Sequence, residues 1–389
     1  KIMEEESATL LPESIQKIKK VEDQTGYELT LFWLASKMND CHTMLLDGET
    51  TILTLAEDST QLQLLCGYFG ENFAPVKLVT VDHQPVVAAI GAENCPLMIG
   101  DVVLKLDGED IEKVIDRKRE YIPIPNDEKL STLYPYLLTS KEDMMELTVL
   151  RNGKEKTFSV TASPENYASC YLSLRHQHDE GMSYQITDDN IGLIQLQNPL
   201  EISVKEMMEQ LKDTDGIVID LRQGIQPTFD ISNFHRYFCS DYQSAAQMIV
   251  PSQAIPGTYQ SILASAGSTQ TEREMLGIYF YQKPVVLLVN ENVVSSGEYA
   301  AMLMALGENV VLLGENTRGA DGNVAYLPLP GNLQITFSSM GVFGPNMEQV
   351  QRIGLTPDIE VHPTIKGIKE GKDELKEAAV AYIQEQNAK

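Results

Sequence analysis

The sequence predicts a mixed α/β protein with a largely parallel sheet in its second half and a small β-rich module ahead of it. From about residue 166, apolar runs with strand character (192–196, 216–220, 284–289 and 309–314) alternate with helical periodicity over 204–211 and 297–306. That β-α-β order implies parallel strands covered by helices. Between about 74 and 163 the pattern changes to short alternating strands closed by Asp107-Gly108 and Asn152-Gly153, dipeptides that accept the two positive-φ positions of a tight hairpin turn. The length of 389 residues, at roughly 150 residues per domain, allows two or three such units.

The first unit, residues 1–73, is expected to begin helical. Ile15, Ile18, Leu29, Phe32 and Trp33 recur at spacings of three and four and so should share one face. A polar break, Asn39-Asp40-Cys41-His42-Thr43, follows, and then Met44 to Leu46 and Thr51 to Leu55 flank Asp47-Gly48 as a predicted hairpin. The second unit, 74–163, is the β-rich module. The third, 164–389, is the α/β part and ends in an amphipathic helix from Glu374 to Ile383, expected to dock on the sheet.

Composition narrows the function. With 30 Lys+Arg against 56 Asp+Glu the formal charge is −26, the wrong sign for binding nucleic acid or anionic headgroups. The longest apolar runs fall far short of the roughly 18–20 residues of a membrane-spanning helix. Five scattered cysteines without a C-x-x-C pair make neither a disulfide framework nor a structural zinc site. His176-x-His178-Asp179 has metal-like spacing, but the sequence places no further ligands beside it. No metal or cofactor is expected. Met207, Met208, Met302 and Met304 read as core filling, and Asp220 and Arg222 at a strand end read as a structural pair.

The segment that can carry chemistry lies at the end of the run 285–289, where Ser295 and Ser296 stand between a buried strand and the first turn of a helix. Backbone N–H groups there have no intrahelical acceptor and can hold an oxyanion. The competing reading is that one serine simply caps the helix, supported by Glu298 three residues on. On spacing alone, capping is the simpler of the two.

Five separated blocks change that balance: Asn39 to Thr43, Asp220-Leu221-Arg222, Asn290 to Glu298, Asn309 to Gly319, and Gly354-Leu-Thr-Pro357-Asp358. In this order they resemble the serine peptidase family of C-terminal processing and tricorn-like proteases. The run Leu97 to Gly108 with the hairpin 147–160 resembles the PDZ module of bacterial proteases. The resemblance implies a crotonase-like (ClpP/crotonase-type) α/β catalytic domain with an inserted PDZ-like domain, Ser295 as nucleophile and the Ser296 N–H as an oxyanion donor. Peptides or unfolded proteins would be the substrates. It also implies export to a periplasmic, cell-surface or extracellular location.

Two base types occur in that family. The processing branch uses a lysine where this sequence has Ala320, and alanine accepts no proton. The tricorn-like branch uses a histidine in a block that Asp40-Cys41-His42 fits, which makes His42 the expected base. Cys41 stands where that branch has a serine, and Gln351 where it has a glutamate, with Glu348 as a nearby substitute. The glycine-rich loop after Asp-Leu-Arg keeps only Gly224, the candidate second oxyanion donor. The sequence thus predicts a serine endopeptidase. A peptide-binding relative that has lost catalysis is the alternative, and an acyl-CoA enzyme is a third reading resting on fold analogy alone.

Overall fold

The computed structural model describes residues 4–48, 60–126, 129–167, 169–170, 183–226 and 229–389. Its central sheet has six strands in the order Tyr184–Ile186, Ile191–Gln195, Gly216–Asp220, Val285–Val289, Val310–Gly314 and Ile359–Glu360. The first pair is antiparallel and every other pair is parallel. The four inner strands are mainly apolar because both their faces are covered. Ile217, Ile219 and Leu287 point into a core with Met207, Met208, Ala301 and Met304. Val218, Val286 and Leu288 point the other way, onto Leu375, Ala379 and Ile383 of the terminal helix Glu374–Asn387. Arg222 clamps that helix to the sheet by bonding both carboxylate oxygens of Asp220 and both of Asp373, the structural role its position suggested.

Ahead of this sheet, Val76–Val81, Gln84–Ile90, Val102–Leu106, Met144–Arg151 and Lys154–Thr161 form an antiparallel sheet of sequential neighbours. Both expected tight turns are present, with φ of 50° and 80° at Asp107 and Gly108 and of 51° and 74° at Asn152 and Gly153. The module shares its core with the N-terminal segment: Leu31, Phe32, Leu45 and Leu65 pack in one buried cluster with Val76, Leu78, Val103 and Leu147.

One expectation for the N-terminal segment changes. Ile15 and Ile18 sit in a helix of their own, Glu4–Ile18, and are 44% and 42% exposed, whereas Phe32 and Trp33 are buried in the next helix, Gln24–Ser36. The Asp23 carboxylate caps that second helix by accepting from the Gly26 N–H. The cap starts a new helical phase, so spacings counted across it define no common face.

The first strand of the expected Asp47-Gly48 hairpin has a distant neighbour. Leu45–Asp47 pairs antiparallel with Leu333–Ser338, nearly 290 residues away, and the Gly48 N–H donates to the Asn332 carbonyl. The proposed second strand at Thr51 to Leu55 lies outside the described residues, as does the His176–Asp179 cluster. The distant strand is itself half of a hairpin, Val324–Leu329 with Leu333–Ser338.

Leu45 and Leu46 are fully buried at this junction. Leu45→Ala is expected to cost about 2–5 kcal/mol, because the cavity cannot collapse between two paired strands and a shared core. Urea unfolding of the whole chain measures it.

Candidate active site

The chain leaves Val285–Val289, runs through Asn290 to Val294 and enters the helix Ser296–Met304. Ser295 is the joint, with φ 51° and ψ −118°, a conformation that costs a non-glycine residue about 1–3 kcal/mol. Such strain at a sharp strand-to-helix turn is how a serine hydroxyl is presented at the top of a sheet. The capping alternative does not hold, because the Ser295 side chain makes no cap hydrogen bond. Glu298, its expected helper, instead faces a different loop.

That loop is Thr317 to Asp321. The fully buried Glu298 carboxylate accepts from the Thr317 hydroxyl at 2.5 Å, the Gly319 N–H at 2.7 Å and the Ala320 N–H at 2.8 Å. Burial pushes this carboxyl up from its ordinary range, and the three donors oppose the shift. The loop returns the support: the Ala320 carbonyl accepts the Ser295 N–H at 2.8 Å, and the Arg318 N–H donates to the Val293 carbonyl. Gly354 has φ 89° and lies so close to Thr317 that a Cβ would sit 2.1 Å from its carbonyl oxygen. The Thr317 and Gly354 blocks of the sequence therefore meet under the Ser295 turn.

His42 reaches the same region through the long-range pairing. The register sets Leu45 opposite Ile335 and Leu46 opposite Gln334, and continued back along the strand it sets His42 opposite Ser338. Nδ1 of His42 lies 3.0 Å from Ser338 Oγ. The His42 backbone is held at both ends, its N–H by Asp40 Oδ1 at 3.0 Å and its carbonyl by the Thr336 hydroxyl at 2.5 Å. Asp40 also accepts the Ser338 N–H at 3.2 Å. The imidazole is 8% exposed. Burial pushes its pKa below the ordinary value, against the pull of the Asp40 carboxylate, which favours the neutral ring.

The other expected residues fare differently. Ser296 opens the helix, where its N–H has no intrahelical acceptor. The Gly224 N–H donates to the Leu221 carbonyl at 3.0 Å in a turn, so it is not free as an oxyanion donor here. Cys41 Sγ lies 3.8 Å from the Thr132 hydroxyl and 4.0 Å from the Pro123 carbonyl, on the module side, and burial raises its pKa. Glu348 is tied to the Asn346 N–H and side-chain amide.

Gln351 Nε2 donates to the carbonyls of Asp321 and Met340, at 2.7 and 3.0 Å. Ser338 Oγ also reaches the Asp321 carbonyl, at 3.5 Å. His42, Ser338, the Asp321 carbonyl and Gln351 thus form one neutral chain of contacts. Among the described residues no hydrogen bond joins the His42 ring to the Ser295 hydroxyl.

Sequence reading missed Ser338 and Thr336. Their signal was the alternation of Leu333, Ile335 and Phe337 with Gln334, Thr336 and Ser338, but only the long-range register makes them neighbours of His42. It also missed Asp321, whose Oδ2 is buried without a hydrogen-bond partner among the described residues. Burial pushes that carboxyl up to about 7.

Residues 240–361 match the family model of peptidase family S41. That segment is similar to the S41 peptidases. Among solved structures, mature CPAF is 11% identical over 98% of this chain and 90% of its own, with a TM-score of 0.67. Mature CPAF complexed with lactacystin gives 11%, 98%, 91% and 0.65. The photosystem II D1 C-terminal processing protease is 15% identical over 94% of this chain and 91% of its own, at a TM-score of 0.46. No curated protein matches the chain. The family match supports a serine-type peptidase, and the likeness to CPAF shows a shared fold over nearly the whole length.

The carbonyls facing Gln351 make a further test. Gln351→Glu would set a carboxylate with no donor against two carbonyl oxygens, so it is expected to destabilise the protein by about 1–3 kcal/mol rather than improve the site. Chemical unfolding of the two proteins side by side reads the difference.

Proposed function

We propose that the chain is a serine endopeptidase in which Ser295 attacks a peptide carbonyl and His42 takes its proton. The observation that supports this most is the strand pairing of Leu45–Asp47 with Leu333–Ser338, which carries a buried neutral imidazole to the loop that also braces a strained serine. An unassisted hydroxyl is a poor nucleophile and needs such a base. With Ser338 Oγ donating toward the Asp321 carbonyl, it accepts from Nδ1–H of His42, and that tautomer leaves Nε2 with the lone pair a general base requires. In the proposed cycle the Ser295 proton passes to Nε2. The tetrahedral oxyanion rests on the Ser296 N–H, the protonated imidazole gives its proton to the leaving amine, and water releases the acyl group.

In this reading the parallel-sheet half is a crotonase-like catalytic domain, bounded near residue 164. The antiparallel sheet within 74–163 is an inserted PDZ-like unit that adds an extended peptide as a strand. An exported location belongs to the same reading and rests on the family resemblance alone.

A second reading, a peptide-binding protein without turnover, is favoured by the neutral Gln351 chain and by the turn bond that occupies the Gly224 N–H. A fluorophosphonate probe separates the two. The intact protein is expected to become labelled and Ser295→Ala to lose the label. Equal labelling of both proteins would sink the serine assignment, and no labelling of either, with peptide binding retained, would select the second reading.

The imidazole must be neutral to act, so the labelling rate should be full at neutral pH and fall as acid protonates His42. Because burial lowers the His42 pKa, the midpoint is expected below 6.5. A midpoint well above that value would contradict His42 as the base.

A further inference from the structure

A cavity of about 380 Å³ opens beside the His42–Ser338 pair. Most of its wall surface is apolar. Ile249 and Tyr259 come from the ribbon Gln243–Pro251 with Tyr259–Ala266, and Phe337, Met340 and Phe343 come from the chain that follows the His42-bearing pairing. Its rim holds Ser338, Gly319 and Gln351, which tie it to the His42 contact and to the loop beneath Ser295. Tyr259 and Phe337 stand 67% and 38% exposed around this opening, and apolar surface gathered at one concavity marks a binding site more often than chance exposure does.

The two charged residues on the wall do not offer a partner to a charged ligand. Asp40 already accepts from the N–H groups of His42 and Ser338 and lies 3.5 Å from the Thr43 hydroxyl. Arg352 Nη2 donates to the Met38 carbonyl. A charged side chain entering here would lose much of its hydration against Ile249, Met340 and Phe343, where Asp40 and Arg352 are already engaged with backbone groups.

We infer that this cavity receives a large apolar side chain of the peptide, aromatic or long aliphatic, next to the bond that is cut, and that Ile249, Tyr259, Phe337, Met340 and Phe343 set that preference. The inference deepens the serine peptidase reading and rests on it for the position of the scissile bond.

The test measures binding and chemistry separately. Ser295→Ala protein, which binds without turnover, is titrated with dansylated hexapeptides that differ only in one central residue: Phe, Leu, Gly, Lys or Asp. The Phe and Leu peptides are expected to bind about ten-fold or more tightly than the Lys and Asp peptides. Adding Ile249→Trp, which fills the cavity, should erase that preference. Tyr259→Ala, a change at an exposed side chain that leaves the fold intact, should weaken the Phe peptide several-fold and leave the Gly peptide unchanged. Equal or tighter binding of the Lys or Asp peptide, or a preference untouched by both cavity variants, would overturn the inference.

Fluorophosphonate labelling of the unmodified protein reads the peptidase assignment on its own. Labelling without side-chain preference removes the cavity's role and keeps the peptidase. Preference without labelling supports the cavity and removes the peptidase.

Discussion

One strand pairing holds the candidate site together. Leu45–Asp47 belongs to the N-terminal half by its core contacts, yet its hydrogen-bonding partner is Leu333–Ser338. Leu45 and Leu46 point to opposite faces of the strand, and both are fully buried, so both faces are anchored. The pairing that sets Leu45 opposite Ile335 then delivers His42 opposite Ser338. Thr336 adds to this lock. Its hydroxyl accepts the Met44 N–H and donates to the His42 carbonyl, bonds that a valine of the same shape could not make. Closing so long a loop costs only modestly more entropy than closing a short one, so this arrangement is affordable wherever the buried leucines favour it.

The second constraint is the carboxylate beneath the serine. Glu298 occupies the position a helix-capping glutamate would hold, yet it binds three donors on the Thr317 to Ala320 loop. A buried carboxylate with three short hydrogen bonds is stable only while all three donors stay in place. It therefore converts the loop into a rigid floor, and the Ala320 carbonyl on that floor fixes the Ser295 N–H. The positive φ at Ser295 persists because its surroundings over-determine it. Alanine at 320, which removes the lysine of the related proteases, leaves the backbone of this floor intact, since Glu298 and Ser295 both use main-chain atoms of that residue.

Much of the fold could be read from local pattern. The parallel strands showed as unbroken apolar runs because both their faces are covered, and the helix Val204–Leu211 showed through its apolar periodicity. The Asn152-Gly153 and Asp107-Gly108 turns were legible because their positive φ values restrict the residues they accept. The misreading at the N-terminus has a plain cause: helical phase was counted across the Asp23 cap. At the site, the sequence blocks singled out Ser295, Ser296 and His42 as candidates. Ser338, Thr336 and Asp321 were not singled out, because each matters only through a neighbour hundreds of residues away or through burial, and neither leaves a mark on local spacing. Gly224 illustrates the opposite error, since its positive φ of 95° serves a turn bond rather than an open N–H.

The electrostatics of His42 tie the site to its groove. Burial keeps the ring neutral and able to accept a proton, but the same burial makes the imidazolium costly once the proton arrives. In a site with a carboxylate on the far ring nitrogen, that charge would be met directly. Here the far nitrogen meets the Ser338 hydroxyl, and behind it a carbonyl and an amide, none of them charged. Asp40 is the carboxylate whose pull on the ring is felt, and it is already shared among backbone donors. In the proposed reaction, the charge that best stabilises the imidazolium is then the oxyanion formed in the same step, near the Ser296 N–H. Such a pair gains most when water is excluded, because the attraction of opposite charges strengthens as the local dielectric falls. An apolar side chain seated between Ile249, Phe337 and Phe343 would expel that water only when substrate is bound, so the neutral chain behind His42 and the apolar wall in front of it are two parts of one electrostatic arrangement.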